Sequence, residues 1–481
     1  MARVHRAFFR ATIVGIGLAA SPFVAAAEDV DVKGCGKYLY AYDPINKYVG
    51  SNTVQETPGQ SATFRSGASD IPPNPAFASS EEDLVNNLLY AIDHVPDRPS
   101  KHIHILALSG GGQWGAYGAG FLRGWSDSSF GVRRQDMDII TGVSTGAMQT
   151  TLAYAGSLAD DIITPAPENK RFSADAIRKK ADQDLERSYL DPAIAKLISN
   201  TFGVFGAVLG NSYYSVEGLE KAVADGVNAN YTTMKYTNRR QRAYVGLVNL
   251  QRNEFYVADL KALIDNTKRN FSTHQQIKAC LSQLILGSAA IPIGFPPRYI
   301  DGDMFVDGGT RSALFATILL THPKVRQRIQ ARGLTPFVHV IINGNMTANN
   351  YARVPAARAK MENSLLPIAK AAMHNAIDQL YRDSVYRNEL DLRDAYPNGH
   401  DSEYTFIPND LIRQSAHAEC KRSVAEQSEE VFDPVFMKCL YKIGYERGKA
   451  QIWDPFKDVP AAPPPPAAVS SPAAPPPPTA H

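Results

Sequence analysis

The sequence predicts an α/β fold in which parallel strands alternate with helices. Two successive segments carry the same order of elements, namely a short apolar strand, a glycine-rich turn and a helix. The first runs from residue 102 to 125 and the second from 136 to 158. Such β-α-β units have right-handed crossovers, which place both turns at the carboxyl edge of one sheet. Folds of this class hold their chemistry at that edge.

The composition indicates a globular protein. The chain has 481 residues, of which 44% are hydrophobic and 20% charged, and these proportions are ordinary for folded domains. Its 50 Lys and Arg residues nearly balance its 48 Asp and Glu residues. A nucleic-acid binder needs a net basic surface, so we expect no nucleic-acid partner.

The N-terminal end has the three parts of an export signal. A stretch with three arginines is followed by an apolar run over residues 11–24 and by three alanines at 25–27. The apolar run has about 14 residues, fewer than the roughly 20 that span a membrane. We therefore expect residues 1–27 to be a signal peptide and the mature protein to be periplasmic or secreted.

The elements that follow can be placed in order. Residues 28–80 show little periodicity, and a helix is predicted over 82–94. We set an irregular lead-in at 28–90, which includes part of that helix, and the main domain at 91–455. Further strands are predicted over 243–250, 254–257 and 337–342, and a strand pair over 299–307 with a turn at Asp301 and Gly302. Helices are predicted over 275–288, 356–387 with a kink at Pro367, and 432–448. The segment 459–481 is rich in proline and alanine and is predicted to be a disordered tail.

Four cysteines are available for disulfides if the protein is exported. The favoured pair is Cys420 with Cys439, which would close a loop of about 20 residues and stabilise the fold by about 3 kcal/mol. Buried free thiols remain the alternative, because pairing cannot be deduced from sequence.

Ser144 has the surroundings of a catalytic nucleophile. It lies between Gly142 and Gly146, after an apolar strand and before a helix, which matches the nucleophile elbow of serine hydrolases. The sharp turn strains the serine backbone and requires small neighbours on both sides. A tight glycine turn without catalysis is the alternative.

A second glycine turn follows the first predicted strand. The consecutive residues Gly110, Gly111 and Gly112 allow backbone N–H groups to point into one cavity, as an oxyanion hole requires. With Gly115 they also satisfy a dinucleotide-binding pattern. That function needs an acidic residue at the end of the next strand, where this sequence has the Ser144 turn instead.

A serine hydroxyl needs a base to remove its proton. Asp307 is the candidate, because it ends an apolar strand and precedes two glycines that permit close approach. Its carboxylate becomes an adequate base if burial raises its pKa. Asp301 and Asp303, nearer the turn and expected to be solvated, are the alternative bases.

The glycine turn, the Ser144 turn and Asp307 with the two glycines after it, in this order along the chain, resemble the patatin-like phospholipase family. Segments 287–292 and 295–297 add to the resemblance, which covers about residues 100–320. It implies a three-layer α/β/α patatin-like fold with a mostly parallel central sheet for the main domain. It also implies a lipid acyl hydrolase with a Ser-Asp dyad and no metal or organic cofactor.

Carried over by position, Ser144 is the nucleophile, Asp307 is the base, and the amides of Gly110, Gly111 and Gly112 form the oxyanion hole. The expected substrates are membrane lipids or other lipid esters, as for phospholipase A or a lysophospholipase, and peripheral membrane contact is compatible with this. The sequence departs from the family at Trp114, where a Lys or Arg that would help to hold a phosphate is common.

Two rival functions remain. The first is an α/β-hydrolase-type esterase with a histidine triad, whose histidine would come from the set after Asp307, namely His322, His339, His374, His400 and His417. The second is a non-catalytic exported binding or scaffold protein that works through its proline-rich tail. His102 and His104 alternate on the first strand and are expected to be structural.

Overall fold

The computed structural model describes residues 31–42, 74–77, 81–160, 173–191, 193, 199–200, 214–236, 240–265, 273–344, 346, 365–407, 409–426 and 432–454. The predicted signal peptide and the proline-rich tail lie outside these residues. Among the helices of these ranges, none combines the length and the apolar character that crossing a membrane requires.

A mixed sheet with a parallel centre runs through the molecule. Its strands are β1 (Leu39–Tyr42), β2 (His102–Leu108), β3 (Met137–Val143), β6 (Arg242–Asn249), β7 (Glu254–Asp259), β8 (Arg298–Ile300), β9 (Asp303–Asp307), β10 (Thr335–Ile341) and β11 (Asp401–Thr405). The order is β1-β7-β6-β3-β2-β10-β11, with β9 also paired to β6 and β8 to β9. The five strands from β6 to β11 in this order are mutually parallel. Two short strands, β4 (Ser199–Asn200) and β5 (Tyr214–Ser215), form a separate pair.

Helices cover both faces of the sheet, which gives three layers. One face carries α2 (Gly115–Ser126), α3 (Thr145–Gly156), α4 (Ala174–Leu190), α5 (Glu217–Tyr236), α6 (Leu260–Asp265), α7 (His274–Ser288), α11 (Asn409–Gln414), α12 (Ala418–Glu426) and α13 (Pro434–Lys449). The other carries α1 (Glu81–Asp93), α8 (Ala316–Leu320), α9 (Pro323–Ala331) and α10 (Leu365–Ala395). The predicted α/β/α fold with a mostly parallel sheet is confirmed.

The residues of β2 show why the central strands are apolar on both sides. Leu106 and Leu108 belong to the core beneath α2 and α3. Ile103, Ile105 and Ala107 belong to the core on the opposite face. A parallel strand covered on both faces has no solvent side, so its sequence is continuously hydrophobic instead of alternating.

The lead-in, which is predicted to be irregular, contains regular structure. β1 pairs with β7 and forms an edge of the central sheet. It has four residues, too few for a periodic signal. The predicted limit at residue 90 falls inside α1, and the domain limits stay predictions.

The long helix also differs from its prediction. α10 extends to Ala395, beyond the predicted end at residue 387. Pro367 lies in the first turn of α10. The first N–H groups of a helix have no intrahelical partner, so proline is tolerated there and need not kink the helix.

The described chain contains one local disulfide and one between distant segments. Cys420 pairs with Cys439 and connects α12 to α13, which is the pairing favoured from the sequence. Cys35 pairs with Cys280 and attaches the segment before β1 to α7.

Candidate active site

Ser144 occupies the sharp turn between β3 and α3. Its backbone has φ 56° and ψ −122°, a conformation that residues other than glycine rarely adopt. A Cβ at Gly142 would lie 2.4 Å from the carbonyl oxygen of Gly146, and a Cβ at Gly146 would lie 2.3 Å from that of Leu108. Both flanking positions therefore require glycine, and the turn has the geometry of a nucleophile elbow.

The turn is also held from the neighbouring strand. The Ser144 N–H donates to the Ser288 hydroxyl at 3.0 Å, and that hydroxyl donates to the carbonyl oxygen of Gly246 on β6 at 2.6 Å. Ser288 thus connects the elbow to β6. In the sequence, Ser288 stands out only as part of the segment 287–292 that adds to the family resemblance.

Asp307 lies beside Ser144 because both flank the same strand. In the sheet β3 and β9 follow one another along the same edge of β6, whose other edge pairs with β7. Val143 at the end of β3 pairs with Gly246, and Asp307 at the end of β9 pairs with the next residue, Leu247. The Ser144 hydroxyl donates a hydrogen bond to the Asp307 carboxylate. The structure therefore brings the two sequence-predicted residues into direct contact.

The surroundings of Asp307 change its acidity. Burial raises the pKa of Asp307 from its ordinary value of 3.8 to about 7. Two hydrogen bonds oppose this rise, one from the Ser144 hydroxyl and one from the Gly309 N–H at 2.7 Å. A carboxyl whose pKa is close to neutral is a stronger base than an exposed aspartate.

The two alternative aspartates are engaged elsewhere. The Asp301 carboxylate accepts hydrogen bonds from the N–H groups of Gly34 and Gly36 at 2.6 and 2.7 Å. Asp303 is buried and paired with Arg252 at 2.9 Å. The expectation of solvation is wrong for Asp303, which is buried, whereas Asp301 is half-buried and its carboxylate holds the segment before β1 in place.

The glycine turn after β2 approaches Ser144 closely. A Cβ at Gly110 would lie 2.8 Å from the Ser144 Cβ, so only glycine fits there. Gly111 has φ 143° and Gly112 has φ 55°, both in the region that favours glycine. Within the described chain, the N–H groups of these three glycines donate to no other group. They remain available as oxyanion donors.

A dinucleotide site would need an acidic residue at the end of β3, and the acidic residue of this strand is at its start instead. Asp138 lies near the start of β3, at the opposite end from the glycine turn. It is fully buried and bonded to Arg98 at 2.7 Å and Arg240 at 3.0 Å. Asp138 therefore supports the fold and is unsuited to bind a ribose.

A cavity of about 800 Å³ contains the candidate site. Ser144, Asp307, Gly111 and Gly112 line it. Much of the remaining wall is apolar, with Met148, Leu185, Leu219, Val223, Ile291 and Phe295 among its side chains. Apolar cavities with a few polar groups are typical of sites that bind apolar ligands.

None of the described residues that line this cavity is a histidine. His322, His339, His400 and His417 instead pair with Glu81, Glu403, Glu389 and Glu446. The side chain of His374, on α10, is outside the described residues. His104 is buried, and its Nδ1 lies 2.9 Å from Nε2 of His339, which agrees with a structural role.

Other residues of the cavity had no recognisable sequence signal. Tyr381 comes from the middle of α10, and a Cβ at Gly110 would lie 2.1 Å from its hydroxyl. Asn343 follows β10 and lines the same cavity. Neither residue belongs to a motif, and only the folded sheet brings them to the site.

Comparison with known proteins gives a family match for part of this chain. The model of the family described as patatin-like phospholipase matches residues 106–320, from β2 to the end of α8, and this segment includes Ser144 and Asp307. No curated protein matches the chain. The crystal structure of VipD from Legionella pneumophila aligns with 12% identity and a TM-score of 0.26, over 71% of this chain and 67% of VipD.

The family match covers the glycine turn, Ser144, Asp307 and the sheet strands from the end of β2 to β9, and it leaves out β1, β10 and β11. It supports lipid acyl hydrolase activity in general. Residues 106–320 of this chain therefore form a patatin-like phospholipase domain.

Proposed function

We propose that this protein is an exported lipid acyl hydrolase that cleaves fatty-acyl esters through a Ser144–Asp307 dyad and an acyl-enzyme. The hydrogen bond from Ser144 to Asp307 inside an apolar cavity is the observation that carries the proposal. It unites a nucleophile, a base of raised pKa and space for an acyl chain.

The proposed reaction has two halves. Ionised Asp307 accepts the Ser144 proton while Oγ attacks the ester carbonyl carbon, and the amides of Gly110, Gly111 and Gly112 stabilise the resulting oxyanion. Asp307 then gives the proton to the leaving alcohol. In the second half Asp307 accepts a proton from water, which attacks the acyl-enzyme, and returns it to Ser144 as the fatty acid leaves.

The apolar wall of the cavity supports a lipid ester as substrate, and a membrane would supply it through peripheral contact. Among the described residues that line the cavity, one lysine and one arginine carry a positive charge, and both of them, Lys180 and Arg187, pair with Asp184. Beside the glycine turn the wall carries Trp114. Neutral glycerides and phospholipids should therefore be compared directly.

Fatty-acid release from phospholipids, lysophospholipids and neutral glycerides tests the proposal. Wild type should release fatty acid from at least one class, whereas Ser144→Ala and Asp307→Asn should lose nearly all turnover. Equal turnover by the three proteins would reject the dyad.

Export is tested separately. N-terminal sequencing of protein secreted by the native host should give Glu28 as the first residue.

A further inference from the structure

Ser109 lies between β2 and the glycine turn and is 1% exposed. Its N–H donates to the carbonyl oxygen of Ile341 on β10 at 3.0 Å, so its backbone is fixed by the sheet. Its hydroxyl donates to the carbonyl oxygen of Gly110 at 2.9 Å. The side chain thus holds the first peptide group of the glycine turn.

The direction of this contact follows from a second hydrogen bond. The backbone N–H of Asn343 donates to the Ser109 Oγ at 2.8 Å. A backbone N–H can only donate, so Oγ must accept there and its single hydrogen is free for Gly110. The hydrogen bonds therefore run one way, from Asn343 through Ser109 to Gly110.

The Asn343 side chain reinforces the same connection. Asn343 is completely buried, and its Nδ2 donates to the carbonyl oxygen of Ser109 at 2.8 Å and to Oε1 of Gln149 at 3.3 Å. A Cβ at Gly111 would lie 1.4 Å from the carbonyl oxygen of Asn343, so the turn also packs directly against this residue.

The Gly110 carbonyl and the Gly111 N–H belong to one planar peptide group. In a trans peptide these two bonds point in opposite directions. A hydroxyl that holds the Gly110 oxygen towards Ser109 therefore turns the Gly111 N–H away from it. Gly111 lines the cavity that contains Ser144, whereas Ser109 does not.

We propose that Ser109 is a positioning residue of the oxyanion hole, whose hydroxyl sets the Gly110–Gly111 peptide so that the Gly111 N–H faces the reacting carbonyl oxygen. Asn343 orients the hydroxyl. This inference rests on the proposed function, since the acyl-transfer steps create the oxyanion. Without the hydroxyl the peptide can rotate, and the donor is lost from the transition state more than from substrate binding.

Steady-state kinetics of Ser109→Ala test this role. We expect kcat to fall about 10- to 100-fold, part of the 100- to 1,000-fold loss typical when an oxyanion donor is removed, with KM within about twofold of wild type. The rate of labelling by a fluorophosphonate should fall by a similar factor. The midpoint of the pH–rate profile should not move, because Asp307 is untouched.

Ser157→Ala is the matched control, since Ser157 is also fully buried and its hydroxyl has no partner among the described residues. It should keep wild-type kcat. Ser109→Cys retains the shape of serine with a weak donor and should fall between wild type and alanine. It provides the comparison if Ser109→Ala does not fold.

A folded Ser109→Ala with kcat within twofold of wild type would overturn the inference, as would a loss confined to KM or an equal loss in Ser157→Ala. If Ser109→Ala does not fold, Ser109→Cys with wild-type kcat would overturn it. Wild-type protein that neither releases fatty acid nor reacts with the fluorophosphonate would instead contradict the proposed function, so the two failures are distinguishable.

Discussion

Asp307 is buried at the end of β9, and its carboxylate accepts hydrogen bonds from Ser144 and Gly309. Burial raises its pKa to about 7, which those two bonds only partly oppose. The same burial has two measurable consequences. One concerns the rate of the reaction and the other concerns the stability of the fold.

The first consequence is a pH-dependent rate. Asp307 can accept the Ser144 proton only when it is ionised, so kcat/KM should rise through a pH of about 7 and level off above it. Initial rates on a soluble short-chain ester between pH 5 and 9 measure this. A profile already at its plateau at pH 5 would contradict a base with a raised pKa.

The second consequence is a loss of stability at high pH. The folded-state pKa of Asp307 lies above its unfolded value of 3.8, so the unfolded state ionises first and stability falls as pH rises from about 4 to about 7. Asp307→Asn cannot ionise. Its melting temperature, relative to wild type, should be higher at pH 8 than at pH 5. A difference independent of pH would contradict the predicted cost of burying this charge.

At the scale of secondary structure, α2 and α13 pack backbone against backbone. A Cβ at Gly120 or Gly124 of α2 would lie 2.1 or 2.0 Å from a carbonyl oxygen of α13. A Cβ at Gly444 or Gly448 of α13 would lie 2.1 or 2.0 Å from a carbonyl oxygen of α2. Helix α2 follows the glycine turn directly, so this packing also supports the candidate oxyanion hole.

Gly444→Ala should separate the two helices. We expect it to lower the free energy of unfolding by about 2 kcal/mol, as is typical when a methyl group is forced into a packed interface. Gly226→Ala on α5 is the stability control, because nothing lies within 4 Å of its added Cβ. Alanine there should be neutral or stabilising by up to about 1 kcal/mol. Urea unfolding measures both, and equal effects would contradict the close approach.

The elements differ in how far their sequences predict them. β2, β3 and the turns after them combine an apolar run with glycines, so local signals suffice. β1 and β11 have four and five residues at the sheet edges and were not predicted. The glycine spacing in α2 and α13 is visible in both segments, but only the folded chain shows that they pack together.

The residues of the candidate site also differ in how far the local sequence predicts them. Ser144, the glycine turn and Asp307, which ends an apolar strand before two glycines, all carry local sequence signals, and the pairing of β3 and β9 with β6 explains why Asp307 lies beside Ser144. Tyr381 and Asn343 carry no motif because their roles depend on contacts between segments far apart in the chain. Sequence therefore predicted the reacting groups, and three-dimensional packing was needed to find their supports.

At the scale of the whole molecule, one disulfide joins α12 to α13 and the other attaches the segment before β1 to α7. Cys420→Ser with Cys439→Ser should lower the free energy of unfolding by about 3 kcal/mol, because the disulfide restricts the unfolded chain by closing a loop of about 20 residues. Urea unfolding of the double variant and of wild type measures the loss. Unchanged stability, with four free thiols titrated in unfolded wild type, would contradict the pairing.

The proposed reaction requires Ser144 to act as the nucleophile and Asp307 to act as its base. Fluorophosphonate labelling followed by peptide mass spectrometry tests this most directly. We predict a single adduct on Ser144 in wild type, none in Ser144→Ala, and labelling at least about 100-fold slower in Asp307→Asn. An adduct on another residue, or equal rates in wild type and Asp307→Asn, would contradict the central claim.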